Sequence, residues 1–516
     1  MIALQSLIER AARLNPSGVA TTYKGTDLTW AATEQRVASL ASGLQHLGLS
    51  EGDRVGILSL NCATYYEALF AVPWAGFCVV PLNTRWAVPE NNYAIGDSGT
   101  RAVLFDDAFS AQVEMRSALV CLEHCIYIGE GTCPDWAIDA EVIINEQSPC
   151  TPSTRGGNEM AGIFYTGGTT GFPKGVMQSH SAIWASGMGS LPMFGMTRES
   201  RYLHVAPMFH MADFAGGMGA TLSAAQNVVL QSFDPVAVMA TVAEQKITHA
   251  LLVPAMIKML LDHPDIAAAD FSSMEKIIYG ASPMPAATLQ RCMELWPHIG
   301  MVQAYGQTEL APVATMLSPE DHRRGGQILK SAGRPTPIND IRVLDDDDND
   351  CAIGVSGEVV VRGPHTMLGY WNKPEETAKA LQNGWVYTGD AGIFDYEGYL
   401  YIVDRLKDMV VTGGENVFTT EVENALISHA AIQDVSVIGI PHDEWGEAAH
   451  AIVILHPSRT ATEEELVAHC RASIAGYKVP KGFTFRAEPM PLSGAGKVLK
   501  TELRRPFWEG RDRQVN

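Results

Sequence analysis

Apolar and polar positions follow two rhythms along the first two thirds of the chain. Short runs dense in aliphatic and β-branched residues, at 55–60 (VGILSL), 103–107 (VLFDD), 162–166 (GIFYT), 228–231 (VVLQ), 249–254 (HALLVP) and 276–281 (KIIYGA), predict buried strands. Between several of them lie amphipathic stretches such as 235–246 (PVAVMATVAEQK), which predict helices. Such alternation implies an α/β fold, with mostly parallel sheets in a large N-terminal domain of several subdomains. Beyond about residue 325 the texture becomes shorter, Gly-rich and more β-like, as in 357–363 (GEVVVRG) and 395–411 (DYEGYLYIVDRLKDMVV).

The last stretch has an α+β pattern of its own, helical at 421–429 and 463–474 and strand-like at 435–441 and 451–456. About a hundred residues suffice for a separate core. The expected division is therefore 1–404 for the large domain and 405–516 for a small C-terminal lid, with the boundary in Asp404–Asp408. The opening residues, MIALQSLIERAARLNP, carry Glu9, Arg10 and Arg13 among apolar positions, which suits a surface helix and not a secretory signal. The longest apolar run, Ala68–Leu82, contains Pro73 and Gly76 and is shorter than the roughly 20 residues of a membrane span. It reads as core.

Composition narrows the picture. A chain of 516 residues, 46% hydrophobic and 18% charged, is that of a well-cored globular protein of two to four domains. A formal charge of -21 argues against general nucleic-acid binding, which needs a basic footprint. Any polyanionic ligand must then be met by a few placed Lys and Arg residues. Nine cysteines in this length make no secreted disulfide framework and point to a reducing cytoplasm. The group Cys121, His124, Cys125, Cys133 and Cys150 lacks the tight pairing of zinc sites and reads as packing. The acidic run Asp345–Asp348 reads as a solvated turn tip.

The most informative segment runs from Tyr165 to Gly175: Thr166, Gly167, Gly168, Thr169, Thr170, Gly171, Phe172, Pro173, Lys174 lie between them. It follows a predicted strand, where ligands of open α/β sheets gather. Its glycines let backbone N–H groups converge on phosphate oxygens, its threonines add hydroxyls, and Lys174 adds charge. Walker A spacing is absent, because only two residues separate Gly171 from Lys174 and no Ser or Thr follows the lysine.

This loop resembles the signature of the acyl-adenylate-forming superfamily, which includes acyl- and aryl-CoA synthetases, peptide-synthetase adenylation domains and beetle luciferases. The family's usual Ser is replaced by Gly167. Further family motifs follow in order from 52–55 (GDRV) to 496–500 (GKVLK). The resemblance implies ATP, Mg²⁺ and coenzyme A as ligands, with a small-molecule carboxylic acid activated as acyl-AMP and then transferred to the coenzyme A thiol. It also implies that the C-terminal domain is mobile. Carrier-protein loading and a luciferase-type oxygenation are its alternatives. The oligomeric state stays open, a homodimer included.

Carried over residue by residue, the resemblance assigns Gly280, Ala281 and Ser282 to the adenine and acyl pocket. Tyr305, Gly306 and Thr308 join them at the nucleotide, and Glu309 is the magnesium carboxylate. Asp390 receives the ribose hydroxyls, Arg405 contacts nucleotide, and Lys407 is the hinge. Gly413 and Gly414 form a hairpin at the pantetheine tunnel, and Trp445, Tyr477 and Lys481 meet the coenzyme A nucleotide. Val479 stands where some relatives have Arg. Lys497 stabilises charge on the α-phosphate and, with His210, Thr166 and Glu309, makes the catalytic set. Lys500 reads as a surface residue. The acyl pocket is assigned to His210, Ala212, Gly216, Ile278, Ala281, Gly306, Pro312 and Val313. Most of these are small and none is acidic or a fixed cation, which suits a medium-to-long aliphatic acid or an aryl acid.

Overall fold

The computed structural model describes residues 2–114, 119–166, 173–412, 415–442, 445–492 and 497–509. The chain forms two compact units, Met1–Ile341 with Val361–Val386, and Arg342–Val360 with Tyr387–Asn516. It passes from one to the other inside the strands Asp340–Leu344, Gly357–Arg362 and Trp385–Phe394.

The larger unit is built on two sheets whose interiors are parallel; both edges of the first and one edge of the second are antiparallel, while the other edge of the second, Ile138–Asp139, pairs parallel. Among the described residues, the first has nine strands in the order Arg334–Pro335, Val313–Leu317, Gly300–Gly306, Lys276–Gly280, His249–Leu251, Arg201–His204, Gln226–Val229, Val19–Tyr23, Thr26–Thr29. The five pairings from Gly300–Gly306 to Val19–Tyr23 are parallel. The second has eight strands and runs Gly369–Tyr370, Lys174–Ser179, Met160–Thr166, Cys78–Pro81, Arg54–Leu58, Thr100–Phe105, His124–Tyr127, Ile138–Asp139. The six strands predicted from apolar runs all fall in these two sheets.

Local chemistry sets the element ends. The helix Pro235–Gln245 starts where Asp234 accepts the N–H of Ala237 at 2.8 Å and Pro235 supplies a preset φ, and it buries Val238, Met239 and Val242. The opening helix, Gln5–Leu14, buries Leu7, Ile8, Ala11 and Ala12, so one face of the predicted surface helix is core. Ala68–Leu82 is buried throughout, split between the helix Ala63–Trp74 and the strand Cys78–Pro81. Among the described residues no helix is long and apolar enough to cross a membrane.

In the smaller unit the strands Val410–Thr412, Gly446–Leu455 and Ile432–His442 carry the helices Thr419–Ile427 and Glu463–Arg471 on a core of Val422, Leu426, Val437, Val453, Leu466 and Cys470. Thr462 and Glu465 close a reciprocal cap at the start of the second helix. Asp345–Asp348 is an exposed turn in which the Asp345 carboxylate accepts the N–H groups of Asp347 and Asn349. The thiols of Cys121, Cys133 and Cys150 donate to backbone carbonyls, and Cys125 is buried in a core.

Burial holds His180, His249 and His365 of the larger unit well below the usual imidazole range, each down to about 4. The fold keeps these rings neutral, whereas the unfolded chain takes up protons below about 6.5. Their contribution to stability is complete above that value and is lost as pH falls toward about 4. His249 lies 3.0 Å from the Phe194 carbonyl through Nε2. His249→Gln is expected to flatten the dependence of unfolding free energy on pH between 6 and 5 by about 1.4 kcal/mol per pH unit, measured by urea unfolding. An unchanged slope would show that this ring does not titrate with unfolding.

Candidate active site

Two adjacent parallel strands end side by side in the nine-stranded sheet. Gly280 pairs with Ala304 and Tyr279 with Gln303, so Gly280–Ser282 lies beside Tyr305 and Gly306 at the carboxyl ends of the strands, where ligands of open α/β sheets gather. The strands approach too closely for side chains. A Cβ on Gly280 would stand 2.1 Å from the Ala304 carbonyl oxygen, and one on Gly306 would stand 1.9 Å from that of Pro312. Gly306 is thus required by the neighbouring backbone as well as by any ligand. Ala281 and Ala311 both hold left-handed backbone, φ 64° and 54°, at roughly 1 kcal/mol or more each. Such strain gathers at functional sites.

The second sheet brings its own strand end. Thr166 closes Met160–Thr166 and pairs antiparallel with Lys174, its Oγ1 3.5 Å from the Lys174 carbonyl. Gly167, Gly168, Thr169, Thr170 and Gly171, the heart of the predicted phosphate loop, lie outside the described residues. Below the loop, the Tyr165 hydroxyl donates to Asp97 at 2.6 Å, which fixes the strand.

Three contacts join the sheets. Gln178 Nε2 donates to the Thr308 carbonyl at 2.6 Å, Met367 N–H to the Glu309 carbonyl at 2.9 Å, and the Tyr370 hydroxyl to Glu309 Oε1 at 2.8 Å. Lys174 Nζ stands 5.1 Å from the centre of the same Tyr370 ring. Glu309 is buried. One oriented carboxylate facing phosphate oxygens and water is a donor set that suits Mg²⁺, which seldom takes an all-protein cage. Among the described residues no cluster of three or more metal-ligating side chains occurs.

His210 caps the helix Met211–Leu222, its Nδ1 accepting the N–H of Ala212 at 3.2 Å. A fully buried pair anchors that helix: His204 Nδ1 is 2.6 Å from Asp213 and Nε2 is 3.0 Å from Asn227 Oδ1. Burial pulls the His204 imidazole down, and Asp213 and Asn227 together raise it by more. Gly216 is filled from the other side, since a Cβ there would meet the Tyr202 hydroxyl at 2.1 Å. Ile278 and Val313 belong to the buried core, Ala212 packs against it, and Pro312 is buried.

In the smaller unit Asp390 lies directly across from Arg405 in an antiparallel pair, joined at 2.9 Å. Trp445 is stacked on His442 with centroids 4.2 Å apart, and Lys481 Nζ stands 4.9 Å from its ring centre. Tyr477 is exposed and Val479 is core. Lys497 is half-buried; 493–496, Gly413 and Gly414 lie outside the described residues. Lys500 is not on the surface. It is largely enclosed and its ammonium pairs with Glu423 at 2.7 Å, because the helix Lys500–Trp508 turns it inward.

Comparison with known proteins decides the family. The model of the AMP-binding enzymes matches residues 8–371, and that of the AMP-binding enzyme C-terminal domain matches 421–497. The chain is an AMP-binding enzyme. It is similar to a feruloyl-CoA synthase of Amycolatopsis sp, 36% identical over 96% of this chain and 98% of that one. It is also similar to a fatty acid–[acyl-carrier-protein] ligase of Streptomyces coeruleorubidus, 32% identical over 99% and 98%. Among solved structures, o-succinylbenzoate CoA synthetase of Bacillus subtilis in complex with its acyl-adenylate intermediate has a TM-score of 0.84 and 28% identity over 98% of each chain. This AMP-binding enzyme is an acid–thiol ligase of the acyl-adenylate-forming superfamily.

Sequence reasoning missed two residues of the AMP-binding enzyme's site region, Tyr370 and Gln178. Their signal was faint: an aromatic pair after Gly369, and a Gln two strand positions beyond Val176. Tyr370→Phe keeps the ring under Lys174 and removes the bond to Glu309. It is expected to raise the Mg²⁺ concentration for half-maximal pyrophosphate release about 10- to 100-fold, the worth of one hydrogen bond to a charged group, with little change in melting temperature. No shift in Mg²⁺ dependence would separate Glu309 from the metal. For His210, Asn restores a capping oxygen while removing imidazole. If the ring serves only as a cap, His210→Asn keeps activity and His210→Ala loses about 1 kcal/mol of stability; an acylation defect shared by both marks a site role.

Proposed function

We propose that this ligase activates a fatty acid of medium or long chain, or an aryl acid, and transfers the acyl group to coenzyme A. The observation that carries this reading is the junction of Glu309, Tyr370 and Lys174 beside the strand ends at Gly280 and Gly306. Glu309 as an acceptor for a divalent cation and the Lys174 ammonium, beside strand ends thinned by Gly280 and Gly306, support it. Mg²⁺ held by Glu309 would neutralise phosphate charge.

The acid carboxylate attacks the α-phosphorus of ATP, the P–O bond to pyrophosphate breaks, and an acyl-phosphate anhydride forms. Thr166 and Lys174 hold the phosphates, and Asp390 with Arg405 binds the ribose side. Lys497 meets the negative charge that grows on the α-phosphate, where electrostatic help has its largest effect. The chain then turns at Lys407, Gly413 and Gly414 line the thiol path, and Trp445 and Lys481 hold the coenzyme A nucleotide. The thiol sulfur attacks the acyl carbon and AMP leaves with the electron pair.

The small side chains of Ala212 and Ala281 and the absence of an acidic group among the assigned pocket residues suit an aryl or aliphatic acid over acetate or a dicarboxylate. The aryl-activating relative supports the same class. The similarity to a carrier-protein ligase favours one second reading, in which a phosphopantetheine thiol is the acceptor. A reducing cytoplasm suits nine cysteines in a chain of this length.

Lys497→Ala is expected to slow pyrophosphate release about 100-fold or more while leaving thioester formation from supplied acyl-adenylate within about 5-fold. Equal losses would remove Lys497 from the first half-reaction. AMP release measured across fatty, aryl and cinnamic acids, with free coenzyme A against a carrier protein, identifies acid and acceptor together.

A further inference from the structure

Asp404 stands before Lys407 in the chain, yet it is gripped by residues that come well after it. Its carboxylate accepts the N–H of Thr419, the Thr419 hydroxyl at 2.8 Å and the N–H of Thr420 at 3.4 Å. Asp404 therefore caps the helix Thr419–Ile427 from a distant strand. Lys500 Nζ donates to the same Thr419 hydroxyl at 2.6 Å and pairs with Glu423 at 2.7 Å. One helical turn further on, Arg504 donates to the Lys407 carbonyl at 3.3 Å and to Asp408 at 3.4 Å. Among the described residues its Nε is buried with no partner.

We infer that Asp404, Thr419, Glu423 and Lys500 form a latch that holds one rotational state of the segment 404–408 and ties it to the segment carrying Lys497. The inference rests on the proposed hinge at Lys407. Backbone torsions at Lys407 separate Asp404 from Thr419 and Lys500, so a large turn there cannot keep these bonds. Lys500 follows Lys497 by three residues, and the intervening stretch is pinned by the pairing of Val498 with Leu492 and by Leu499 N–H on the Pro491 carbonyl at 2.8 Å. Whatever strains the latch is therefore felt at Lys497. Thr419 and Lys500 are positioning residues; they act on the chemistry only through the hinge.

Thr419→Val tests this without emptying the Lys500–Glu423 pair, and Lys500→Met removes the ammonium. Hydrogen exchange of the 404–409 amides is expected to quicken about 10-fold in both full-length variants, the loss of one buried hydrogen bond from the closed state. The ratio of adenylation rate to thioester formation from supplied acyl-adenylate is expected to change by about 5-fold or more, in either direction. Unchanged exchange in Thr419→Val, or equal slowing of both half-reactions in both variants, overturns the latch. Exchange is read without substrates, so it judges the latch even if the wild-type chain releases no pyrophosphate with any acid, a result that would sink the proposed function alone.

Discussion

A carboxylate buried between two sheets is the constraint around which the larger unit is arranged. Leaving a Glu309 oxygen without its hydrogen bond there would cost about 1–3 kcal/mol. The fold meets it with the Tyr370 hydroxyl, on a two-residue strand that hydrogen-bonds beside Lys174–Ser179, and ties the backbone of Glu309 to Met367. The same tyrosine faces Lys174 with its ring. One side chain therefore sets the positions of an anion and a cation that come from different sheets, and the phosphate loop grows from the strand pair that Tyr370 extends.

Close backbone approach completes the arrangement. Gly280 and Gly306 let neighbouring strands and the 312 carbonyl come where no Cβ fits, and Ala281 and Ala311 adopt left-handed backbone without glycine's freedom. Strain of this size persists only when surrounding structure over-determines it. Here the surroundings are the core that holds Ile278, Val302 and Val313, so the rigidity of these strand ends is a product of packing.

Charge is used sparingly and locally. Under the proposed function, a chain carrying -21 overall meets polyanions through single placed cations, Lys174 in the larger unit and Arg405 and Lys497 in the smaller. Lys500 shows the opposite use of an ammonium. Burial works against its charge, but Glu423 and Asp404 outweigh that and raise its pKa, so it serves the interior of the smaller unit.

The sequence by itself determined the fold class, the family and the chemistry, because those rest on local signals: apolar runs of strand length, caps such as Asp234-Pro235, and motif spacing in which each residue type has one physical use. The six predicted strands and the helix at 235–245 needed no tertiary information. Only the tertiary structure decided which residues meet. That Tyr370 bonds Glu309, that Asp390 faces Arg405, that Val479 is core, and that Lys500 is enclosed and not exposed all depend on register and on which helix face turns inward. A lysine within Gly-Lys-Val-Leu-Lys has no local mark of burial, and its partner Glu423 lies more than seventy residues away. Contacts at such separation are set by how helices and strands pack, which a linear pattern does not encode.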